Sequence, residues 1–308
     1  MPLKILLTGG TGLIGSKLGL QLSEEGNQIS LLTRNTSLSK HLDWTSHIRE
    51  WDYSKPQTFK DLMEGQDAII HLAGANLNGK RWNNNYKKII YDSRIASTKN
   101  IVNAINTSNE KPKVFITASA VGIYGNRDNE LLSENSTLGN DFLANVCKDW
   151  EKEAEKVELS GIRWVSLRLG IVLSREGGML KELLLPFKLF AGGYIGNGKQ
   201  WVPWLHIQDA IEIIEFALRN NSLSGAINCV APGITRMNDF AKTLGKIIHR
   251  PSYLHIPKLI VRILSGEICD TAVSSQRISI DKLLESGYQF KFPYLEDALK
   301  DLLNKDEM

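Results

Sequence analysis

Thr8-Gly9-Gly10-Thr11-Gly12-Leu13-Ile14-Gly15 follows a Leu/Ile-rich run at residues 3–7 and opens an amphipathic stretch at residues 16–25. Gly10-x-Gly12-x-x-Gly15 has the spacing of a dinucleotide-binding turn, and Gly9-x-x-Gly12-x-x-Gly15 overlaps it. Glycine is needed here for three reasons. The chain must turn sharply, the backbone must approach a pyrophosphate, and the helix that follows must pack closely on its strand. The free amides at that helix N-terminus then receive the phosphate charge. This stretch predicts Gly9, Gly10, Thr11, Gly12, Leu13, Ile14 and Gly15 as the phosphate-cradling set.

Outward from the turn, short apolar runs at residues 29–33, 68–72, 114–117 and 164–169 alternate with helix-length segments at 56–63, 84–105 and 141–160. Runs that are apolar on both faces and alternate with helices read as buried parallel strands of a doubly wound α/β sheet, a Rossmann-type fold. Beyond residue 173 the rhythm loosens into glycine-marked loops around an apolar stretch at 179–190. One more helix and strand follow at 207–219 and 226–230. From residue 251 the chain reads as short helical pieces at 258–264, 281–285 and 295–303. The expected organisation is a nucleotide-binding domain over residues 1–250, with substrate-side insertions about 174–206. A small, mostly helical C-terminal lobe would span residues 251–303.

In such a sheet the ribose reader stands about 20 residues past the glycines, at the end of the second strand. Arg34 stands there, 19 residues past Gly15, where an NAD-binding chain carries Asp or Glu. A guanidinium suits a 2′-phosphate, so NADP(H) is expected over NAD(H), with the Thr33 hydroxyl beside it. Ligands sit at the carboxyl ends of parallel strands, which adds Asp52, as a contact to the adenine amino group or a turn-initiating residue, and Leu72-Ala73-Gly74, where a ribose can approach the backbone.

Composition removes several other classes. The 308 residues carry 37 Lys+Arg against 34 Asp+Glu, a net +3, too slight for a nucleic-acid or membrane footprint. Three cysteines far apart exclude a disulfide scaffold, and no Cys-x-x-Cys or His-x-x-x-His pair suggests a metal. Apolar stretches end well short of a membrane span, and the first residues lack a cleavage site. The expectation is a cytoplasmic protein with a small-molecule substrate and with neither a nucleic acid nor a membrane as partner.

The glycine turn, His71-Leu72-Ala73-Gly74, Ser119-Ala120-Val121-Gly122-Ile123-Tyr124-Gly125, Leu167-Arg168 and Trp204-Leu205-His206-Ile207-Gln208-Asp209 resemble the extended short-chain dehydrogenase/reductase superfamily. More closely, the chain resembles the atypical branch known as NAD(P)-dependent epimerase family proteins. That branch joins an epimerase-like nucleotide domain to a small C-terminal domain of unknown function. Ordinary members use a Tyr-x-x-x-Lys dyad, in which lysine lowers the tyrosine pKa and the phenol moves a proton beside the hydride step. None of the eight tyrosines here has a lysine four residues on. Aligning the segment 141–160 with the dyad helix places Leu143 at the tyrosine position and Cys147 at the lysine position, and the atypical branch often carries Cys there.

The remaining acid–base candidates are Ser119, Tyr124 and Cys147, although a buried cysteine without a nearby cation is more often packing. Ser119 requires a one-residue offset, because counting back from Tyr124-Gly125 puts the superfamily hydroxyl at Ala120. Arg94 falls where the superfamily usually has Asn, and the atypical branch resembles this chain in using Arg; a fixed guanidinium there can bind cofactor phosphate or substrate carboxylate, or stand in a helix-surface ion pair. On the substrate side stand Arg168 as an anion contact, Trp201 in a flexible loop and His206, a titratable ring more often structural than chemical. Asp209 is expected to cap or begin the helix after His206. Two functions are compatible with these residues. One is an NADP(H)-dependent oxidoreductase or epimerase acting on a small polar, including nucleotide-linked, substrate. The other is a non-catalytic NADP(H)-binding redox sensor or scaffold.

Overall fold

A computed structural model describes residues 2–38, 42–45, 47–52, 55 and 59–303. Seven strands form one parallel sheet: β1 (Lys4–Thr8), β2 (Gln28–Thr33), β3 (His47–Glu50), β4 (Ala68–His71), β5 (Val114–Ala120), β6 (Arg163–Leu169) and β7 (Gly225–Cys229). Their order is β7-β6-β5-β4-β1-β2-β3, so strand order reverses between β1 and β4. That reversal opens a crevice at the carboxyl ends of the two strands, where open α/β sheets bind ligands.

Alternation along each strand feeds two cores. Ile5 and Leu7 of β1 face one side with Ile29, Leu31, Ile70, Ile116 and Val165. They pack there against Leu18 and Leu22 of α1 (Leu13–Glu24). Leu6, Leu32, Ile69 and Phe115 face the other side, against Ile101 and Ile105 of α2 (Asn84–Asn106) and Ala154 of α3 (Phe142–Glu155). These side chains are essentially fully buried; at about 25 cal/mol per Å² each contributes roughly 1.5–3 kcal/mol. Asn83 caps α2 through the Tyr86 amide and Asp141 caps α3 through the Ala144 amide, which fixes where both helices begin.

The Rossmann-type sheet and its helices match the expected order closely. The third interval differs: Lys60–Met63 is a single 3-10 turn, and residues 56–58 of the expected helix lie outside the described residues. The stretch taken for loops after residue 173 contains a helix, α4 (Gly178–Lys188), with Pro186 inside it. Proline there masked the helical pattern, yet near the C-terminal end its missing N–H removes only one late bond. Helices α5 (Ile207–Arg219) and α6 (Met237–Ile247) follow, the second not expected.

The C-terminal part is mostly helical, as expected, with two short paired strands in it. Leu254–Ile256 pairs with Gly193–Ile195, and Arg277–Ile278 pairs with Leu131–Leu132. The helices α7 (Lys258–Ser265) and α8 (Leu295–Leu303) flank these pieces. Leu295, Leu299 and Leu302 of α8 join the same core as α5 and α6. Asp209, fully buried in α5, accepts the Lys291 and Phe292 amides and the Tyr288 hydroxyl, tying this segment to the sheet. No helix among the described residues is long and apolar enough to cross a membrane.

Candidate active site at the sheet crevice

The glycine turn is built by contact as much as by flexibility. Gly9 has φ +74°, and a Cβ there would stand 2.7 Å from the Leu72 carbonyl carbon and 2.9 Å from the Ala73 nitrogen. The backbones of the two crevice walls therefore touch at Gly9. A Cβ on Gly15 would lie 2.3 Å from the Gly9 oxygen, so the helix start rests directly on the turn. Beneath it, Leu31 excludes a Cβ at Gly10 and the Trp44 ring one at Gly19, packing partners that glycine spacing alone does not reveal. Gly12 begins α1 without a side-chain cap, and no acidic residue occupies the first turn. The amides of Leu13, Ile14 and Gly15, which a helix leaves unpartnered, and the exposed Thr11 are thus open to an anion.

Thr8 ends β1 and His71 ends β4, and the two meet across the crevice: Thr8 Oγ1 and His71 Nδ1 are 2.7 Å apart. Ser97 Oγ of α2 lies 3.2 Å from His71 Nε2 and gives its own proton to the Ser93 carbonyl at 2.7 Å. His71 Nε2 must then donate and Nδ1 accept, which is the neutral imidazole. Burial, with a smaller contribution from Arg94, pushes its pKa down to about 3. The Ala73 amide donates to the same Thr8 hydroxyl. His71 was quoted in the sequence only as part of a motif, and its role as the tie among β1, β4 and α2 needed the third dimension.

Next to this tie lies a cavity of about 220 Å³ between the ends of β4 and β5 and the faces of α2 and α3. It brings together Leu72, Gly74, Arg94, Ser119, Leu143, Cys147 and Trp150, and none of residues 8–15 lines it. Cys147 is buried; desolvation and the field of Glu151 push its thiol up to about 12, against a smaller opposing pull from Arg94. It is protonated at neutral pH and is a poor nucleophile there. Ser119 Oγ donates to Glu151 Oε1 at 2.7 Å. Arg94 donates to the Ile90 carbonyl at 3.1 Å and lies 5.3 Å from the Trp150 ring centroid.

Glu151 organises a buried network that the sequence did not announce. Arg168 donates to both its oxygens, Nε to Oε1 at 2.9 Å and Nη2 to Oε2 at 2.8 Å, and through Nη1 to the Tyr124 hydroxyl at 2.8 Å. Tyr124 in turn donates to Asn228 Oδ1 at 2.7 Å. Burial opposes the charge on Arg168, but its bonds to Glu151 and that carboxylate's field outweigh this and raise its pKa. Burial raises that of Tyr124. Arg168 and Tyr124 are therefore matched within the protein and do not line the cavity, whereas Ser119 and Cys147 do.

Comparison with known proteins places this geometry. The NAD dependent epimerase/dehydratase family matches residues 5–229, and a domain of unknown function (DUF1731) matches residues 256–302. The chain belongs to the NAD dependent epimerase/dehydratase family. An epimerase family protein of Staphylococcus aureus is 37% identical over 304 residues, covering 97% of this chain and 99% of that one. The chloroplastic epimerase family protein SDR39U1 homolog of Arabidopsis thaliana is 34% identical, over 97% of this chain and 86% of its own. The human epimerase family protein SDR39U1, solved with NADPH, superposes with a TM-score of 0.87 at 30% identity, covering 98% and 99% of the two chains.

Within this epimerase-family frame the other expected residues are dispersed. Arg34 is exposed at the end of β2 and makes no ion pair among the described residues, while Thr33 is buried beside it and bonds the Asn35 backbone. Asp52 is exposed and pairs with Lys55 at 3.5 Å. Trp201 sits in a two-residue strand, not a free loop, donating to Asn129 with the Arg236 guanidinium 4.5 Å from its ring centroid. His206 is buried, caps α5 by accepting the Gln208 amide at 3.0 Å and packs against the tilted Phe292 ring with centroids 3.9 Å apart. Asp209 lies in the first turn of α5, and the capping side chain is His206. Neither Trp201 nor His206 reaches the cavity.

Proposed function

We propose that this chain binds NADP(H) along the crevice and is an atypical epimerase/dehydratase-type oxidoreductase for a small polar substrate. The observation that carries this reading is the Gly9–Leu72 contact beside the uncapped start of α1. A Cβ at Gly9 would strike the Leu72 backbone and one at Gly15 the Gly9 carbonyl, so only glycine lets the turn close against β4 and start α1 at the crevice. The human relative solved with NADPH supports the choice of cofactor, and Arg34 supplies the cation a 2′-phosphate needs.

In this reading the amides of residues 13–15 would hold the pyrophosphate, Thr33 and Arg34 the adenosine ribose and its phosphate, and Leu72-Ala73-Gly74 the second ribose. The bound nicotinamide supplies or accepts hydride. The protein's own part is to position and to exclude water. Leu143 replaces the family's phenol, and the Cys147 thiol, held up to about 12, is no substitute base at neutral pH. Among the described residues lining the cavity, Ser119 is the one hydroxyl with a carboxylate behind it. As Glu151 accepts from it at 2.7 Å, it is placed to pass a proton between Glu151 and a bound oxygen. The test is NADPH oxidation across a panel of carbonyl compounds and nucleotide sugars. Turnover that falls at least about a hundredfold in Ser119→Ala, the usual worth of a positioned acid–base group, is expected.

The Leu143–Cys147 pair favours a second reading, a non-catalytic NADP(H) sensor or scaffold. Tight NADPH binding with no turnover on the whole panel would select it.

A further inference from the structure

The chamber between β4, β5, α2 and α3 carries one unbalanced charge. Of the described residues that line it, Arg94 and Cys147 are the ionisable ones, and the thiol is protonated at neutral pH. Behind Ser119, Glu151 and Arg168 are forked onto each other and cancel. The buried imidazole of His71 beside the chamber is neutral. Arg94 has no such partner. It is half-buried, donates to the Ile90 main-chain carbonyl at 3.1 Å and forms no salt bridge among the described residues. Burial disfavours its charge, and the groups whose fields support it, Cys147 and Tyr86, are a thiol and a phenol. A guanidinium nonetheless keeps its proton. Its position is also fixed. A Cβ on Gly74 would lie 3.0 Å from its Cζ, and the Trp150 ring centroid is 5.3 Å away.

With the second ribose on Leu72-Ala73-Gly74, the ring it carries belongs to this chamber, because Leu72 and Gly74 are part of its wall and Arg94 rests on Gly74. We infer that Arg94 sets the redox-state preference of the cofactor site, its guanidinium favouring the uncharged ring of NADPH over the positively charged ring of NADP+. The inference rests on the proposed function in taking the cofactor to bind with its nicotinamide half here, and it requires neither turnover nor a second ligand. The two forms differ by one hydride on the ring. Contacts to the adenosine, its 2′-phosphate and the pyrophosphate are therefore common to both, and the ring charge is what the protein can read. The walls around the guanidinium are aliphatic, with Leu77, Leu143, Val146 and Leu169 among them, which keeps screening low. Two like unit charges confined together at an effective dielectric of roughly 20 repel enough to change a binding constant at least about tenfold. By linkage, the same factor shifts the bound couple toward its reduced form. A site built this way discriminates the two redox states whether or not it also transfers hydride.

The test is calorimetric titration of the full-length protein with NADPH, with NADP+ and with adenosine 2′,5′-bisphosphate, which has no nicotinamide. The unmodified protein should bind NADPH at least about tenfold more tightly than NADP+. Arg94→Gln should bring the two affinities within about twofold of each other while leaving the bisphosphate within about twofold of its original affinity. Arg94→Lys keeps the charge and should keep most of the preference, which a purely structural role for the side chain does not predict. Equal affinities for NADPH and NADP+ in the unmodified protein overturn the inference without any variant. An Arg94→Gln variant that retains the preference overturns it, as does an Arg94→Lys variant as indifferent as Arg94→Gln. Equal losses of both forms and of the bisphosphate in Arg94→Gln also overturn it, by making the guanidinium a phosphate contact. The absence of heat with all three ligands counts against the proposed function instead.

Discussion

Alanine at Gly9 should damage the fold and the crevice together, and the size of the effect can be worked from two glycines. Gly9 and Gly26 both have positive φ, +74° and +86°, so either substitution forces an L-residue into left-handed backbone at about 1–2 kcal/mol. Around Gly26 nothing lies within 4 Å, and the cost stops there. At Gly9 the new Cβ would meet the Leu72 carbonyl carbon at 2.7 Å, its oxygen at 2.8 Å and the Ala73 nitrogen at 2.9 Å. These are backbone atoms of the opposite wall and cannot rotate aside. Parting them loosens the Leu72 amide bond to the Thr8 carbonyl, now 3.2 Å, and adds the roughly 1–3 kcal/mol typical of overpacking. Gly9→Ala should therefore lose about 2–5 kcal/mol in urea unfolding and at least about tenfold in NADPH affinity by calorimetry, against about 1–2 kcal/mol and no affinity change for Gly26→Ala. Equal losses for the two variants in both assays would show that the walls do not meet as described.

Arg34→Asp should weaken NADPH by about 2 kcal/mol, measured by calorimetry, and leave NADH nearly unchanged, because only the former offers a 2′-phosphate to a guanidinium. Glu151→Gln leaves the buried Arg168 charge uncompensated and should cost about 3–5 kcal/mol in urea unfolding, with much of it recovered by adding Arg168→Met. His71 titrates at about 3 in the fold against 6.5 unfolded, so the stability it confers is complete above pH 6.5 and is lost as pH falls toward 3. Between pH 7.5 and 5.5 the protein should lose about 1.4 kcal/mol more than His71→Asn does, by urea unfolding at each pH.

The local rules of sequence were enough wherever one signal governed one element. Helix α5, Asp281–Glu285 and α8 begin and end where their apolar periodicity says, and the glycine turn sits where its spacing says. Misses came where a long-range partner decided. Pro186 hid α4, and Leu254–Ile256 becomes a strand only because Gly193–Ile195 lies beside it. At the candidate site Arg94, Ser119, Leu143 and Cys147 were named from the sequence and do meet in one cavity. Glu151 was not named as functional, since a glutamate in an amphipathic helix looks like solvated surface until Arg168 and Ser119 are seen to converge on it. The same convergence takes Arg168 away from the substrate side, and the capping bond of His206 gives that ring a structural task.

The most direct measurement is a calorimetric titration of the unmodified protein with NADPH and, separately, with NADH. A turn of bare amides followed by Arg34 predicts saturable one-site heat with NADPH and clearly weaker binding of NADH. The absence of heat with either nucleotide would contradict the account at its root.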